Sequence, residues 1–160
     1  MKVKQLVWAE EYNSGIGQID YQHKKLLTII NQLNLTYKVD NEKSTLNGIL
    51  SSVKKYAACH FEVEEYMMLK LQYKDYSQHV LLHAKFLDKV HYFDKAINKC
   101  DYSENLSDIQ VEMIRYLNEW FEVHMLSEVK AIKNVRLERG VKIDNLITQC
   151  FDDSDNISLN

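Results

Sequence analysis

The chain has no proline and only four glycines in 160 residues. That removes the usual punctuation of strand-and-turn folds and leaves long stretches for uninterrupted helix. Its three cysteines, Cys59, Cys100 and Cys150, are odd in number, widely spaced and without a C-x-x-C pair. That is not the pattern of a secreted disulfide framework, and reduced thiols are expected. Neither sign of charge dominates: the formal net charge is -3, with acids and bases interspersed. Nothing marks a nucleic-acid surface or a polybasic membrane anchor. No apolar run approaches the ~18 residues of a membrane span, and Met1 to Trp8 carries no long apolar stretch. With 46% hydrophobic and 27% charged residues, the expectation is one soluble cytoplasmic domain with a real core.

What the chain does have is apolar periodicity at helical spacing. Ile19, His23, Leu26, Ile30, Leu33 and Tyr37 step by threes and fours, the seam of a packed helix. Leu46, Leu50, Val53, Ala57, His60, Glu64, Met67 and Leu71 repeat the pattern over a longer span, and Tyr76, His79, His83, Phe86, Val90, Phe93 and Ile97 form a third seam. The fourth runs through Met113, Leu117, Trp120 and His124 toward Ala131 and Val135. Short connections near Asp40 to Lys43, Gln72 to Asp75 and Cys100 to Asn105 make sequential helices antiparallel neighbours. The expected fold is all-α, an antiparallel up-down-up-down four-helix bundle over residues 1–140. A non-helical arm from Trp8 to Gln18, loosened by Gly15 and Gly17, precedes it, with Trp8 available to cover one end. Ser107-x-x-Gln110 reads as a capping box for the fourth helix. A helix stop is expected at Gly140, then a C-terminal extension over 141–160, disordered from about Asp152.

Five of the six histidines fall into a spaced set with two glutamates: His23, His60-x-x-x-Glu64, His79-x-x-x-His83 and His124-x-x-x-Glu128. Residues four apart share a helix face, so each pair aims two ligand atoms at one point. All seven occupy seam positions where Leu or Ile would be expected. One buried histidine is ordinarily a satisfied core residue, but seven ionisable seam residues without compensation would undo a domain stabilised by only ~5–15 kcal/mol. Metal cations remove the conflict. Imidazole and carboxylate donors suit iron, and seven ligands are too many for one four-coordinate zinc. The His-Glu-x-x-His order of zinc peptidases is missing, and the Glu-x-x-His pair of ferritin-like sites is reversed here.

These residues resemble the hemerythrins, and most the single-domain bacterial members of that family. The matching stretches are Trp8 with Gly15-Ile16-x-x-Ile19-Asp20-x-x-His23, His60-Phe61-x-x-Glu64-Glu65-x-x-Met68, Tyr76-x-x-His79-x-x-x-His83 and Trp120-Phe121-x-x-His124. The likeness runs from about Leu6 to the mid-130s. It implies an oxo- or hydroxo-bridged pair of iron ions, with His79, His83 and His124 on one. His23 and His60 hold the other, which keeps an open position, and Glu64 bridges the two. It also implies reversible binding of dioxygen, or of other small diatomic ligands, for storage, delivery or sensing, with no reaction catalysed.

One position departs from the family. Its second bridging carboxylate is an Asp five residues after the helix-four histidine, where this chain has Val129. Glu128 sits one residue earlier. On a helix, i+4 lies only about 40° from its partner, against about 140° for i+5, so Glu128 either takes over the bridge or is a solvated bystander. The alternative function is an enzyme or iron donor acting on nitric oxide or peroxide, or in iron-sulfur cluster repair. A site in which metal only staples the fold would be saturated, which five histidines divided unevenly argue against. His91 is expected at the surface, and Glu65 as a charge beside the site or exposed. Tyr12, Tyr66 and Tyr116 are candidates to lie near it, and Met67, Met68, Trp120 and Met125 are core candidates that also stand to wall the ligand pocket.

Overall fold

A computed structural model describes residues 3–37, 39, 42–100 and 103–139, with the side chains of 103–105 and 135–139 left aside. Four helices carry the fold: α1 (Gly17–Thr36), α2 (Lys43–Lys70), α3 (Tyr76–Lys99) and α4 (Ser103–Arg139). There is no strand among the described residues. Each helix packs against two others, α2 on α1 and α3, and α4 on α1 and α3. Their direction is visible in side-chain pairs that step oppositely along the chain: Lys54 meets Asp94 and Glu65 meets His83 across α2 and α3, while His23 meets Glu128 and Asn34 meets Asn118 across α1 and α4. This is the up-down-up-down bundle. No described helix is long and apolar enough to cross a membrane.

The seams expected from periodicity are the buried faces, with Tyr37 and Tyr76 only half-buried at their ends and Trp120 half-buried on α4; the Val135 side chain lies outside the described residues. Large side chains such as Phe86, Phe93, Leu33 and Leu50 have at most 1% of their surface exposed, each contributing about 1.5–3 kcal/mol by leaving water. The apolar core comes in two parts. The larger runs from Leu26 and Phe61 toward Leu46, Ile97 and Leu106; the smaller comprises Ile16, Ile19, Val63, Met67, Leu71 and Ile132. Between them lie His23, His60, Glu64 and Glu128, at seam positions that divide the bundle into unequal halves.

The arm is held more tightly than glycine content suggests. Asn31 of α1 exchanges two hydrogen bonds with the Leu6 backbone, accepting from its N–H at 2.7 Å and donating to its carbonyl at 2.8 Å. Glu10–Tyr12 form a 3-10 turn and α1 already begins at Gly17, so the arm is neither wholly non-helical nor as long as Gln18. Gly15 has φ 77, a conformation that other residues enter at a cost. That turn brings Ser14 back onto Asp20, whose Oδ1 accepts from both the Ser14 N–H and hydroxyl at 2.7 Å. Trp8 does cover the core edge, lying on Tyr12 and donating from Nε1 to Asn13.

One other expectation needs correction. α4 starts at Ser103, so Ser107 lies inside the helix and caps nothing; the Gln110 amide instead donates to Thr36 Oγ1 of α1 at 3.1 Å. The connection after α2 is a helix-ending motif with a left-handed Gln72 (φ 48). Gln72 N–H bonds Leu69 C=O and Tyr73 N–H bonds Met68 C=O, the paired pattern that satisfies the last carbonyls. The Gly140 stop, Cys150, the extension over 141–160 and most of the Asp40 and Asp101 connections lie outside the described residues.

Candidate metal centre

All seven candidate residues come together. None has more than 7% of its surface exposed: His23, His60, Glu64 and Glu128 have none, His83 2%, His124 4% and His79 7%. Glu64 of α2 approaches His79 at 2.8 Å, His83 at 3.1 Å, and His60 and His124 at 3.6 Å each. Glu128 of α4 approaches His23 at 2.9 Å, His60 at 3.4 Å and His124 at 3.6 Å. In every one of these contacts the histidine atom is Nε2. Ligand atoms of Glu64, His79, His83 and His124 lie within 4.8 Å of one another, as do those of His60, Glu64, His124 and Glu128.

These short contacts are mostly not hydrogen bonds. Only His23 and Glu128 are aligned as a pair. Nε2 of His60, His79, His83 and His124, both oxygens of Glu64 and Oε1 of Glu128 are buried without a hydrogen-bond partner. Polar atoms that crowd at 2.8–3.6 Å and yet fail to align are directed at common space instead of at each other. In a dry layer each unmet group costs about 1–3 kcal/mol, so the donor set fits a bound cation and calls for one.

The protonation pattern agrees. Burial pushes the Glu64 carboxyl up, but close contact with His124, His79 and His83 outweighs it and holds the group well below its usual value. Burial and the Glu64 charge push Glu128 up; His23 and His60 overcome both and lower it to about 2. Burial lowers the His60 and His79 imidazoles, yet the facing carboxylates leave both raised, whereas for His124 burial prevails and the result is lowered. Two carboxylates thus stay charged in the core, and without metal only protons on imidazoles offset them.

Outer contacts fix the rings. His83 Nδ1 lies 2.7 Å from Glu65 Oε1 and His60 Nδ1 lies 2.9 Å from Gln22 Oε1. Each oxygen accepts a hydrogen bond from the Nδ1–H, which keeps the proton on Nδ1 and leaves the Nε2 lone pair facing inward, as metal-bound histidines require. Glu65, the next residue to Glu64, therefore does not point away from the site. Aromatic plates hold the remaining freedom: Phe61 stacks on His83 with centroids 3.7 Å apart, Trp120 on His124 at 4.1 Å and Tyr56 on His60 at 4.9 Å.

Tyr12, Tyr66 and Tyr116 are elsewhere. Tyr12 packs on Phe121, Tyr66 is 46% exposed, and Tyr116 lies against Phe86 and Phe93. Tyr56 and Gln22 are the residues that periodicity passed over. A signal for Tyr56 was present: Tyr56, His60 and Glu64 stand four apart on α2, just as Trp120, His124 and Glu128 do on α4. Gln22 carries none, since its role depends on which neighbour α1 turns toward. Met67, Met68 and Met125 are core, each at most 3% exposed, and His91 is exposed.

The family profile "Hemerythrin HHE cation binding domain" matches residues 14–134. A bacteriohemerythrin of Clostridium acetobutylicum is 33% identical over 126 residues, covering 76% of this chain and 94% of that protein. Those of Stenotrophomonas maltophilia and Methylococcus capsulatus are each 25% identical, covering 79% and 75% of this chain and 78% and 88% of theirs.

Proposed function

Because the chain belongs to the hemerythrin family, we propose that its histidine and glutamate layer holds two iron ions and binds dioxygen reversibly, for storage, delivery or sensing. His79, His83 and His124 would hold one iron, His23 and His60 the other, and Glu64 and Glu128 would bridge them. The carrying observation is the set of inward-facing Nε2 and carboxylate atoms left without partners in a buried layer. Glu64 lies among the three-histidine group and Glu128 among His23, His60 and His124, which supports a bridge from each side. When bound, the iron pair supplies the electrons and the open position that dioxygen needs.

The chain's own residues do the rest. Gln22 and Glu65 keep the His60 and His83 protons on the outer nitrogens, so neither imidazole needs to reorient when metal enters. The two apolar clusters exclude water from above and below the layer. Few protons can then reach the site, which favours release of the ligand unchanged over its reduction and loss. We place the protein in the cytoplasm, where the thiols of Cys59 and Cys100 would stay reduced.

The test is the visible absorption of anaerobically reduced protein before and after air, with iron measured on the same sample. About two irons per chain and a band that appears with air and vanishes on degassing are expected for such donors. Immediate, permanent oxidation would overturn oxygen carriage in favour of an enzyme or iron donor, and a metal content near one would overturn the paired site.

A further inference from the structure

Tyr56 stands one turn before His60 on α2 and lies almost flat over its imidazole, the planes 23° from parallel. The residue is 6% exposed, and its hydroxyl is buried with no hydrogen-bond partner. A phenylalanine would fill nearly the same volume and stack as well, without the cost of an unmet buried hydroxyl. Among the plates over His60, His83 and His124 this is the one with a hydroxyl. Phe61 and Trp120, which cover His83 and His124, serve the three-histidine side, where no further group has to bind.

The two sides of the layer differ in that respect. Three histidines face Glu64 on one side, but only His23 and His60 stand on the other, so the vacancy for a small ligand falls beside the ring that Tyr56 covers. Burial, with the nearby carboxylate charges, holds this phenol well above its ordinary value, so it keeps its proton at neutral pH and can offer it to an acceptor atom. Glu128 and Glu64 are near enough for their charges to act on that phenol, and neither accepts from it.

We propose that the Tyr56 hydroxyl is the hydrogen-bond donor to the small ligand bound on the His23 and His60 side, selecting ligands whose outer atom is a hydrogen-bond acceptor. Dioxygen and small anions such as azide meet that requirement, and carbon monoxide meets it poorly. The inference rests on the two-iron reading with an open position on that side. It adds a specificity residue outside the ligand set.

The experiment compares the iron-loaded, oxidised protein with Tyr56→Phe by azide titration, with Tyr116→Phe as a tyrosine control away from the layer. The expected result is a dissociation constant raised about tenfold in Tyr56→Phe, the effect of one buried hydrogen bond. Iron content should be unchanged, and Tyr116→Phe should match wild type. The azide stretch should shift in deuterated solvent for wild type and not for Tyr56→Phe. Metal-free Tyr56→Phe should unfold at the same urea concentration as wild type or higher, because the hydroxyl has no partner to lose. Azide affinities within twofold would overturn the inference alone. So would a fall in iron content or in metal-free stability, which would make the hydroxyl a support for Glu128 or for the core. Wild-type protein that holds two irons yet takes up neither azide nor dioxygen would overturn the two-iron binding reading together with it.

Discussion

At position 128 a carboxylate with no exposed surface faces His23, His60 and His124, while Val129, also buried at 3%, is turned about 100° away around the helix. Glu128 is therefore no solvated bystander. Glu128→Ala should lower iron content, measured by elemental analysis, and speed oxidation of the reduced site, since one carboxylate fewer leaves two cations poorly neutralised. Val129→Asp should not rescue it. It would bury a charge away from the histidines at a cost of several kcal/mol, seen as a lower urea midpoint. Iron content and oxidation rate equal to wild type in Glu128→Ala would remove Glu128 from the ligand set. The same residues set a pH dependence of opposite sign with and without metal. His60 and His79 have raised folded values, so their contribution to metal-free stability is full below the unfolded value near ~6.5 and is lost as pH rises through the folded value. Glu128, lowered to about 2, contributes fully above about 4.5 and loses that contribution as pH falls from there through about 2. Metal needs the unprotonated rings. Iron affinity should climb from pH 5 to 8, and a chelator should strip the protein faster at the acid end.

Among the described connecting residues, two backbone positions carry positive φ with different residues in place. Gly15 (φ 77) makes the turn that returns Ser14 to Asp20, and Gly15→Ala should cost about 1–2 kcal/mol in urea unfolding. At Gln72 (φ 48) the strain is already present, and Gln72→Gly should raise stability by about 0.5–1 kcal/mol; a lower midpoint would show that the Gln72 side chain matters more than its backbone. Neither the arm's Asn31 clasp nor the Gln72 motif could be read from periodicity, which reports the face a residue buries and nothing of its hydrogen bonds. For the same reason the seams, and the seven candidate positions that the fold brings into one buried layer, were legible, since each is a spacing along one helix. The Ser107 capping box failed because a four-residue pattern recurs by chance inside long helices, and here the helix continues upstream to Ser103. For Glu65 the two alternatives, beside the site or exposed, stayed open because angle around α2 alone says that neighbours diverge; His83, reaching across from α3, settles it beside the site.

For the whole molecule, the polar layer separates a large core from a smaller one, six buried residues among those described. Removing metal leaves that layer with unmet donors and should loosen the smaller side first. Hydrogen exchange should show amides of Met67 to Leu71 at least tenfold faster in metal-free than in iron-loaded protein, with Leu46 to Val53 little changed. Equal effects at both ends would mean that the layer does not divide the fold's cooperativity. Burial of the site also governs time. With no candidate ligand residue more than 7% exposed, a gas molecule meeting the surface finds the layer shut and must wait for side chains to part. Uptake should then run well below the ~10⁹ M⁻¹s⁻¹ of an open encounter, with a steep temperature dependence and little response to solvent viscosity. A flash or stopped-flow trace would in that case record how often the bundle breathes, and the same slow gate would hold a captured molecule in place after its bond to the site has broken.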